Sequence, residues 1–161
     1  MVAQTPRFTN NTLRIVGTGW KVAGIFTTTS GAPLTVNTAT DQALSGQTNE
    51  RPNQVNPNPL CANPGISCWI NPAAFAIPAL GTLSTLGPAN IPGPGFFDLD
   101  MALSREFRVR EKQTLEMRGE AFNVTNSFRA AAVTTTQSNN FGKILTAMDP
   151  RILQFAMKFT F

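Results

Sequence analysis

The sequence predicts an all-β fold made of long antiparallel strands. Apolar and polar residues alternate with period two in several segments, which are about ten residues long. Long loops rich in Pro, Asn and Gly, or a short charged turn, separate them. Period two places successive side chains on opposite faces of a strand, whereas helical side chains repeat about every 3.6 residues. We expect strands near 14–36, 95–107, 113–125 and 150–161, and long loops at 37–94 and 126–140.

The last segment of the sequence shows the clearest alternation. The apolar residues that share one face are Leu153, Phe155, Met157, Phe159 and Phe161. The residues that share the other face are Gln154, Ala156, Lys158 and Thr160. This pattern predicts a strand with one face in an apolar environment and the other in water.

Residues 97–107 and 114–121 repeat this pattern. In the first segment the apolar and polar sets are Phe97, Leu99, Met101 and Leu103 against Asp98, Asp100, Ala102 and Ser104. In the second they are Leu115, Met117, Gly119 and Ala121 against Glu116, Arg118 and Glu120. The charged connection 108–113 predicts that the two segments form a hairpin. We interpret the basic residues near it as a solvated turn: Arg105, Arg108, Arg110 and Lys112.

Three features favour a transmembrane barrel over a soluble β-sandwich, in which strands also alternate. Strands of about ten residues match a tilted membrane crossing, whereas globular strands peak near five or six residues. Phenylalanines cluster at strand ends, where aromatic girdles lie. The opposite faces carry carboxylates, which tolerate a wet lumen. We predict a partial antiparallel transmembrane β-barrel with long extracellular loops, whose lipid-facing residues include Leu153, Phe155, Met157 and Phe159.

Composition excludes several classes of function. Only 14% of the residues are charged, the net charge is +4 and histidine is absent. The basic residues form no stripe of the kind that binds nucleic acid. No metal-ligand cluster, cofactor motif or nucleophile motif is present, so we expect neither an enzyme nor a cofactor. Asp98 and Asp100 share a strand face and suggest a catalytic acid pair, but we interpret them as lumen-facing.

The two cysteines, Cys61 and Cys68, lie in a segment rich in Pro and Asn. Two thiols are too few for a typical metal site. The sequence Asn63-Pro-Gly65 between them favours a turn. We therefore predict a small loop disulfide, which indicates an oxidising compartment; the alternative is two reduced thiols.

An ordered series of motifs covers nearly the whole chain: 19–36, 50–53, 69–75, 93–100, 118–126, 141–144 and 149–155. Among them are Gly93-Pro-Gly-Phe-Phe-Asp-Leu-Asp100, Arg118-Gly-Glu-Ala-Phe-Asn-Val-Thr-Asn126 and Asp149-Pro-Arg151. This series resembles the carboxyl-terminal part of TonB-dependent receptors of the Oar-like, carboxypeptidase-regulatory-domain type, common in Acidobacteria.

The resemblance implies that residues 1–161 are a carboxyl-terminal fragment of an outer-membrane barrel of about 22 strands. The expected function is a wall segment of a receptor or transporter with extracellular ligand-binding loops; the alternative is a secreted or surface β-sandwich that binds carbohydrate or protein. The expected partners are outer-membrane lipid, the barrel-assembly machinery, the amino-terminal barrel and plug of the same receptor, and TonB through that plug alone. The resemblance also implies that Phe161 belongs to the assembly signal.

Overall fold

The computed structural model describes residues 1–6, 9–10, 12 and 17–161. The chain divides into two compact units. The first, which we call the wall unit, comprises Met1–Thr28, Phe97–Ser127 and Asp149–Phe161. The second, which we call the loop unit, comprises Thr29–Phe96 and Phe128–Met148.

The elements of the described residues follow the chain in this order: β1 (Val2–Gln4), β2 (Trp20–Thr29), β3 (Asn53–Gln54), β4 (Leu60–Gly65), β5 (Cys68–Ile70), a 3-10 helix (Pro72–Ala74), β6 (Phe75–Ala76), β7 (Phe96–Arg110), β8 (Gln113–Phe122), β9 (Ala130–Val133), β10 (Ile144–Ala147) and β11 (Ile152–Thr160). Within these ranges, no helix has both the length and the apolar character needed to cross a membrane.

The wall unit is one sheet with the strand order β1-β2-β7-β8-β11. Strands β7 and β8 form the predicted hairpin, and the pair Arg110 and Gln113 encloses a turn made of Glu111 and Lys112. Strand β11 pairs with β8 along its whole length in antiparallel register. The described elements are strands apart from one short 3-10 helix, which confirms the all-β prediction, and the described part of the sheet is open, as expected for a partial barrel.

Several strand bounds differ from those predicted. Strand β2 covers Trp20–Thr29 instead of 14–36, because the chain leaves the strand at Gly31, which has φ +88°; positions 14–16 of the predicted strand lie outside the described residues. Strand β7 continues to Arg110, and β8 ends at Phe122 because Asn123 has φ +49°.

The loop unit contains more structure than two long loops. Strands β3 and β6, β4 and β5, and β9 and β10 pair as short antiparallel ladders. Its apolar core consists of Val36, Ile70, Ala74, Phe75, Leu86, Ile91, Val133, Phe141 and Ile144. Six of these residues come from the two predicted loops, and Val36, Phe141 and Ile144 lie just outside them, so the two connections and their flanks form one folded body. The sequence pattern did not predict it because these core residues follow no helical or strand period.

Candidate functional site

The register of the wall sheet sorts its side chains into two faces, because directly opposed residues in an antiparallel pair point to the same side. The first, which we call the apolar face, carries Met101, Leu103, Arg105, Phe107, Leu115, Met117, Gly119, Ala121, Leu153, Phe155, Met157 and Phe159. The second, which we call the polar face, carries Ala102, Ser104, Glu106, Arg108, Thr114, Glu116, Arg118, Glu120, Gln154, Ala156, Lys158 and Thr160. Alternation in three separate segments therefore gives strands β7, β8 and β11 one common division into faces, with the apolar pair Ile152 and Phe122 at one end of the polar face.

The four residues predicted to face lipid lie together on the apolar face and are exposed: Leu153 59%, Phe155 84%, Met157 67% and Phe159 51%. Phe161 is 92% exposed. All nine residues of β11 are exposed. Its two faces therefore differ in side-chain polarity and not in burial. Soluble monomers rarely leave such a contiguous apolar patch in water, which favours an apolar surrounding for this face.

The polar face carries charges along and across its strands. Arg118 and Glu120, two positions apart on β8, form an ion pair with 2.5 Å between guanidinium and carboxylate. Glu116 lies directly opposite Glu106 on one side and Lys158 on the other. Opposite charges placed across strands stabilise a sheet whereas like charges oppose it. Ionised side chains at this density require water, which is the environment of a barrel lumen.

Asp100, considered above as half of an acid pair, has a structural role at the end of the hairpin. Its Oδ1 accepts a hydrogen bond of 2.9 Å from the backbone N–H of Asn123. The Asn123 side chain is 1% exposed and bonds Ser127 through the backbone N–H and C=O of that residue. Asn126 Oδ1 accepts from the backbone N–H of Arg151 at 3.0 Å. The segment Asn123–Asn126 thus joins β7, β8 and the approach to β11.

The alternating pattern alone indicated no role for this asparagine-rich segment. Both Asn123 and Asn126 have φ +49°, a conformation that asparagine adopts more readily than most residues. Two asparagines spaced three apart after an alternating segment are the signal that would have indicated a strand end. Among the described residues, no group of three or more His, Cys, Asp and Glu could hold a metal ion.

Cys61 and Cys68 lie on the paired strands β4 and β5 of the loop unit. The structure joins them in a disulfide with 6.0 Å between the Cα atoms. The bridge spans seven positions of sequence and closes the tip of this hairpin. A cross-link of this kind stabilises the folded loop chiefly by restricting the unfolded chain.

A second ordered region of the loop unit surrounds Asp41 and Glu50. The Asp41 carboxylate accepts hydrogen bonds from the backbone N–H groups of Ser45 at 2.9 Å and Gly46 at 2.7 Å. The bond from Ser45 is the main cause that holds the pKa of Asp41 below its ordinary value. A neighbouring cavity of about 290 Å³ is lined by Ser45, Gln47, Asn49, Glu50, Arg51, Leu83 and Ser84.

Arg105 departs from its predicted place. Its basic neighbours grouped it with a solvated turn, and this grouping is wrong because Arg105 lies inside β7, as it did inside the predicted strand 95–107. Arg105 lies on the apolar face opposite Met117, and its guanidinium carbon is 5.3 Å from the centre of the Trp20 ring and 4.6 Å from that of Phe107. Its even spacing from Leu103 and Phe107 is the signal that would have placed it there.

Comparison with known proteins agrees with this geometry. The family model described as "Outer membrane beta barrel domain" matches residues 1–154. Neither the curated proteins nor the solved structures gave a match. The matched range covers the wall strands, the loop unit and the start of β11. The chain therefore belongs to the family of outer membrane beta barrel domains and is located in the outer membrane.

Proposed function

We propose that the chain forms wall strands and extracellular ligand-binding loops of a TonB-dependent receptor or transporter of the Oar-like type. One observation supports this proposal: the same chain contains a wall sheet with an apolar and a polar face and also a loop unit with its own folded core. A pore or anchor needs only the wall. A core, a disulfide and a polar cavity in the connections instead favour a role in binding a ligand.

The ordered motifs support the receptor type. Two of them, Arg118–Asn126 and Asp149–Phe155, lie far apart in the sequence and meet through Asn126 and Arg151. The proposed role is the binding and transport of a ligand, not catalysis. Family membership also removes the main support for the alternative of a secreted β-sandwich.

The open sheet indicates which partners the proposed receptor requires. Strands β1 and β11 end the described sheet, and an unpaired strand edge in hydrocarbon leaves backbone groups without hydrogen bonds. We propose that further wall strands of the same receptor pair with these edges and that β11 seals the barrel. The barrel-assembly machinery would read Phe161, and TonB would act through a plug supplied by the rest of the receptor.

The size of the native protein tests this proposal. Antibodies against the loop unit should detect, in isolated outer membranes, a polypeptide far larger than 17.4 kDa. Tryptic peptides from that band should include a plug and a TonB box, because transport requires coupling to the inner membrane. A native band at 17.4 kDa, with every peptide inside the 161 residues, would contradict the receptor proposal.

Surface labelling tests the orientation of the loops. Single cysteines replacing Asn63 and Ser138, each placed in a Cys61→Ser, Cys68→Ser background, should react with a membrane-impermeant maleimide on intact cells. A cysteine replacing Glu111 in the same background should react only after the outer membrane is opened, because we place the β7–β8 turn in the periplasm. Equal reaction at all three positions before opening would show that the topology is wrong.

A further inference from the structure

We propose that the polar cavity beside Arg51 in the loop unit binds a sugar acid, whose carboxylate pairs with the Arg51 guanidinium and whose hydroxyl groups meet the side-chain amides of Gln47 and Asn49. This inference rests on the proposed function, because it names the ligand class of the ligand-binding loops. Every residue that lines the cavity belongs to the loop unit, so the site is contained in one folded body.

One edge of the Arg51 guanidinium is bonded and the other is open. Its Nε–H donates to the carbonyl oxygen of Leu86 at 2.6 Å, and Leu86 is 5% exposed in the apolar core. In the part of the chain that the structure describes, the two terminal nitrogens have no hydrogen-bond acceptor and no carboxylate partner. Their N–H groups form a planar fork that matches the two oxygens of a carboxylate. Arg51 therefore presents a positioned cation to the cavity.

The carboxylate next to Arg51 in the sequence is satisfied by its own loop. Glu50 Oε2 accepts hydrogen bonds from the backbone N–H groups of Gln42 and Ala43, each at 2.8 Å. Glu50 Oε1 accepts from the Ser45 hydroxyl at 2.8 Å. Hydrogen bonds to an ionised acceptor are stronger than those between neutral groups, so these three donors stabilise the charge of Glu50 where it lies. Glu50 thus shapes the loop and leaves the terminal nitrogens of Arg51 to a ligand.

The two segments that form the cavity walls are joined by hydrogen bonds. Ser84 Oγ donates to the carbonyl oxygen of Pro52 and accepts from the backbone N–H of Leu86 at 2.9 Å. Asn53 Oδ1 accepts from the backbone N–H of Thr85 at 3.2 Å. Pro52 is fully buried. A cavity between segments held in this way is largely formed before a ligand arrives, which lowers the ordering cost of binding.

The other groups of the cavity suit a hydroxylated ligand of small size. Within the described residues, the side-chain amides of Gln47 and Asn49 have no hydrogen-bond partner, and an amide offers hydroxyl groups both donors and an acceptor. Leu83, which is 80% exposed, supplies an apolar contact for the C–H groups of a sugar ring. The volume of about 290 Å³ lies at the lower end of the range for small-molecule sites, so one sugar unit fits better than a larger ligand.

The local charge favours a carboxylate over a phosphate. The charged residues of segment 41–51 are Asp41, Glu50 and Arg51, which together carry one net negative charge. A phosphate monoester carries about −1.5 to −2 charges at neutral pH. It would therefore experience more repulsion from these two carboxylates than a ligand with a single negative charge. A sugar acid has that single charge beside several hydroxyl groups.

Isothermal titration calorimetry of the full-length outer-membrane protein that contains this chain, purified in detergent, tests the proposal. The probe is D-galacturonate, and D-galactose is its neutral counterpart. The wild type should bind one galacturonate per chain, at least about tenfold more tightly than galactose, as expected for one charge-assisted pair. Arg51→Gln should abolish this preference. Absence of galacturonate binding to the wild type, or equal affinity for the two sugars, would overturn the proposal.

Lys143→Gln is the matched control for the loss of charge. It removes one positive charge from a loop-unit residue that does not line the cavity. Screened charges outside a binding site contribute little to affinity, so this variant should bind galacturonate within about twofold of wild type. A loss equal to that of Arg51→Gln would show that the net charge of the loop unit, and not the cavity, sets the affinity, and this would refute the site.

Two further arms separate binding from folding and identify the anion. Arg51→Gln also removes the bond to Leu86, whereas the double variant Gln47→Ala, Asn49→Ala removes only exposed amides and should weaken galacturonate binding at least about fivefold. Wild-type affinity in the double variant would refute the cavity as the site. Inorganic phosphate at equal concentration should not compete; full competition would overturn a carboxylate site. Neither arm depends on a plug or on TonB, so failure here is distinguishable from failure of the receptor proposal, which the native band decides.

Discussion

Replacing Phe155 by arginine is expected to destabilise the folded wall by about 2–4 kcal/mol, the cost of an arginine on the lipid face near the bilayer midplane. Phe155 lies close to the middle of β11 and is 84% exposed on the apolar face. Its ring also covers Gly119 on β8, since a Cβ atom added at Gly119 would lie 3.4 Å from the ring. The substitution therefore removes a packing contact as well as adding a charge.

The neighbouring substitution Gln154→Arg is the matched control. Gln154 precedes Phe155 on the same strand and points to the polar face, directly opposite Glu120. An arginine there meets a carboxylate and water, so we expect a change of less than about 1 kcal/mol. Urea unfolding of the full-length receptor that carries each change, in lipid vesicles and followed by heat-modifiable migration, measures the difference. If both variants lost the same stability, the assignment of the apolar face to lipid would have to be abandoned.

The wall was predictable because residues at alternate positions of an amphipathic strand share one face, so the sequence pattern shows which face is apolar and which is polar. Leu153 and Phe155, or Leu103 and Phe107, share a face whatever the strand pairs with, and register only aligns these faces. The predictions of an all-β partial barrel and of an outer-membrane location are therefore both confirmed. Strand β1 was not predicted because the three residues Val2–Gln4 are too few to show a period.

The loop unit was not predictable in the same way, because its contacts join distant positions through single residues. Leu34 bridges Ile91, and Asn37 bridges Thr136. No local pattern encodes such pairings, and isolated apolar residues in a polar segment resemble an ordinary loop. Ile70, fully buried in the core, precedes the segment Asn71-Pro-Ala, which reads as a turn. Its burial follows from tertiary packing and not from its neighbours in sequence.

Arg105 represents an intermediate case, in which two features of the sequence conflicted. Its basic neighbours suggested a turn, while its spacing from Leu103 and Phe107 suggested the apolar face. The spacing proved decisive because Arg105 lies inside strand β7, which itself runs three residues beyond its predicted end at Phe107. The end of a strand depends on the register of its partner, and Gln113 of β8 pairs as far as Arg110. Sequence pattern alone does not determine that register.

Replacing Gly142 by alanine is expected to open the core of the loop unit, with a cost of roughly 2–5 kcal/mol from backbone strain and steric overlap together. Gly142 has φ +77° and is buried. Its carbonyl accepts the backbone N–H groups of Trp69 at 2.7 Å and Ile70 at 3.2 Å. A Cβ atom at this position would overlap the Ile70 carbonyl oxygen. The clash is with backbone, so either β5 or the segment around Phe141 must move, and both carry residues of the core.

Gly81→Ala separates the overlap from the strain. Gly81 has φ +79°, nearly the same as Gly142, but a Cβ atom added there meets nothing within 4 Å. This variant should therefore show only the strain of the left-handed conformation, about 1–2 kcal/mol. Hydrogen exchange of the purified chain, followed by mass spectrometry of peptides spanning 66–76, reports on the bonds to Gly142. We expect faster exchange there in Gly142→Ala and wild-type exchange in Gly81→Ala. Equal exchange in the two variants would show that Gly142 is not the point at which the two connections are packed together.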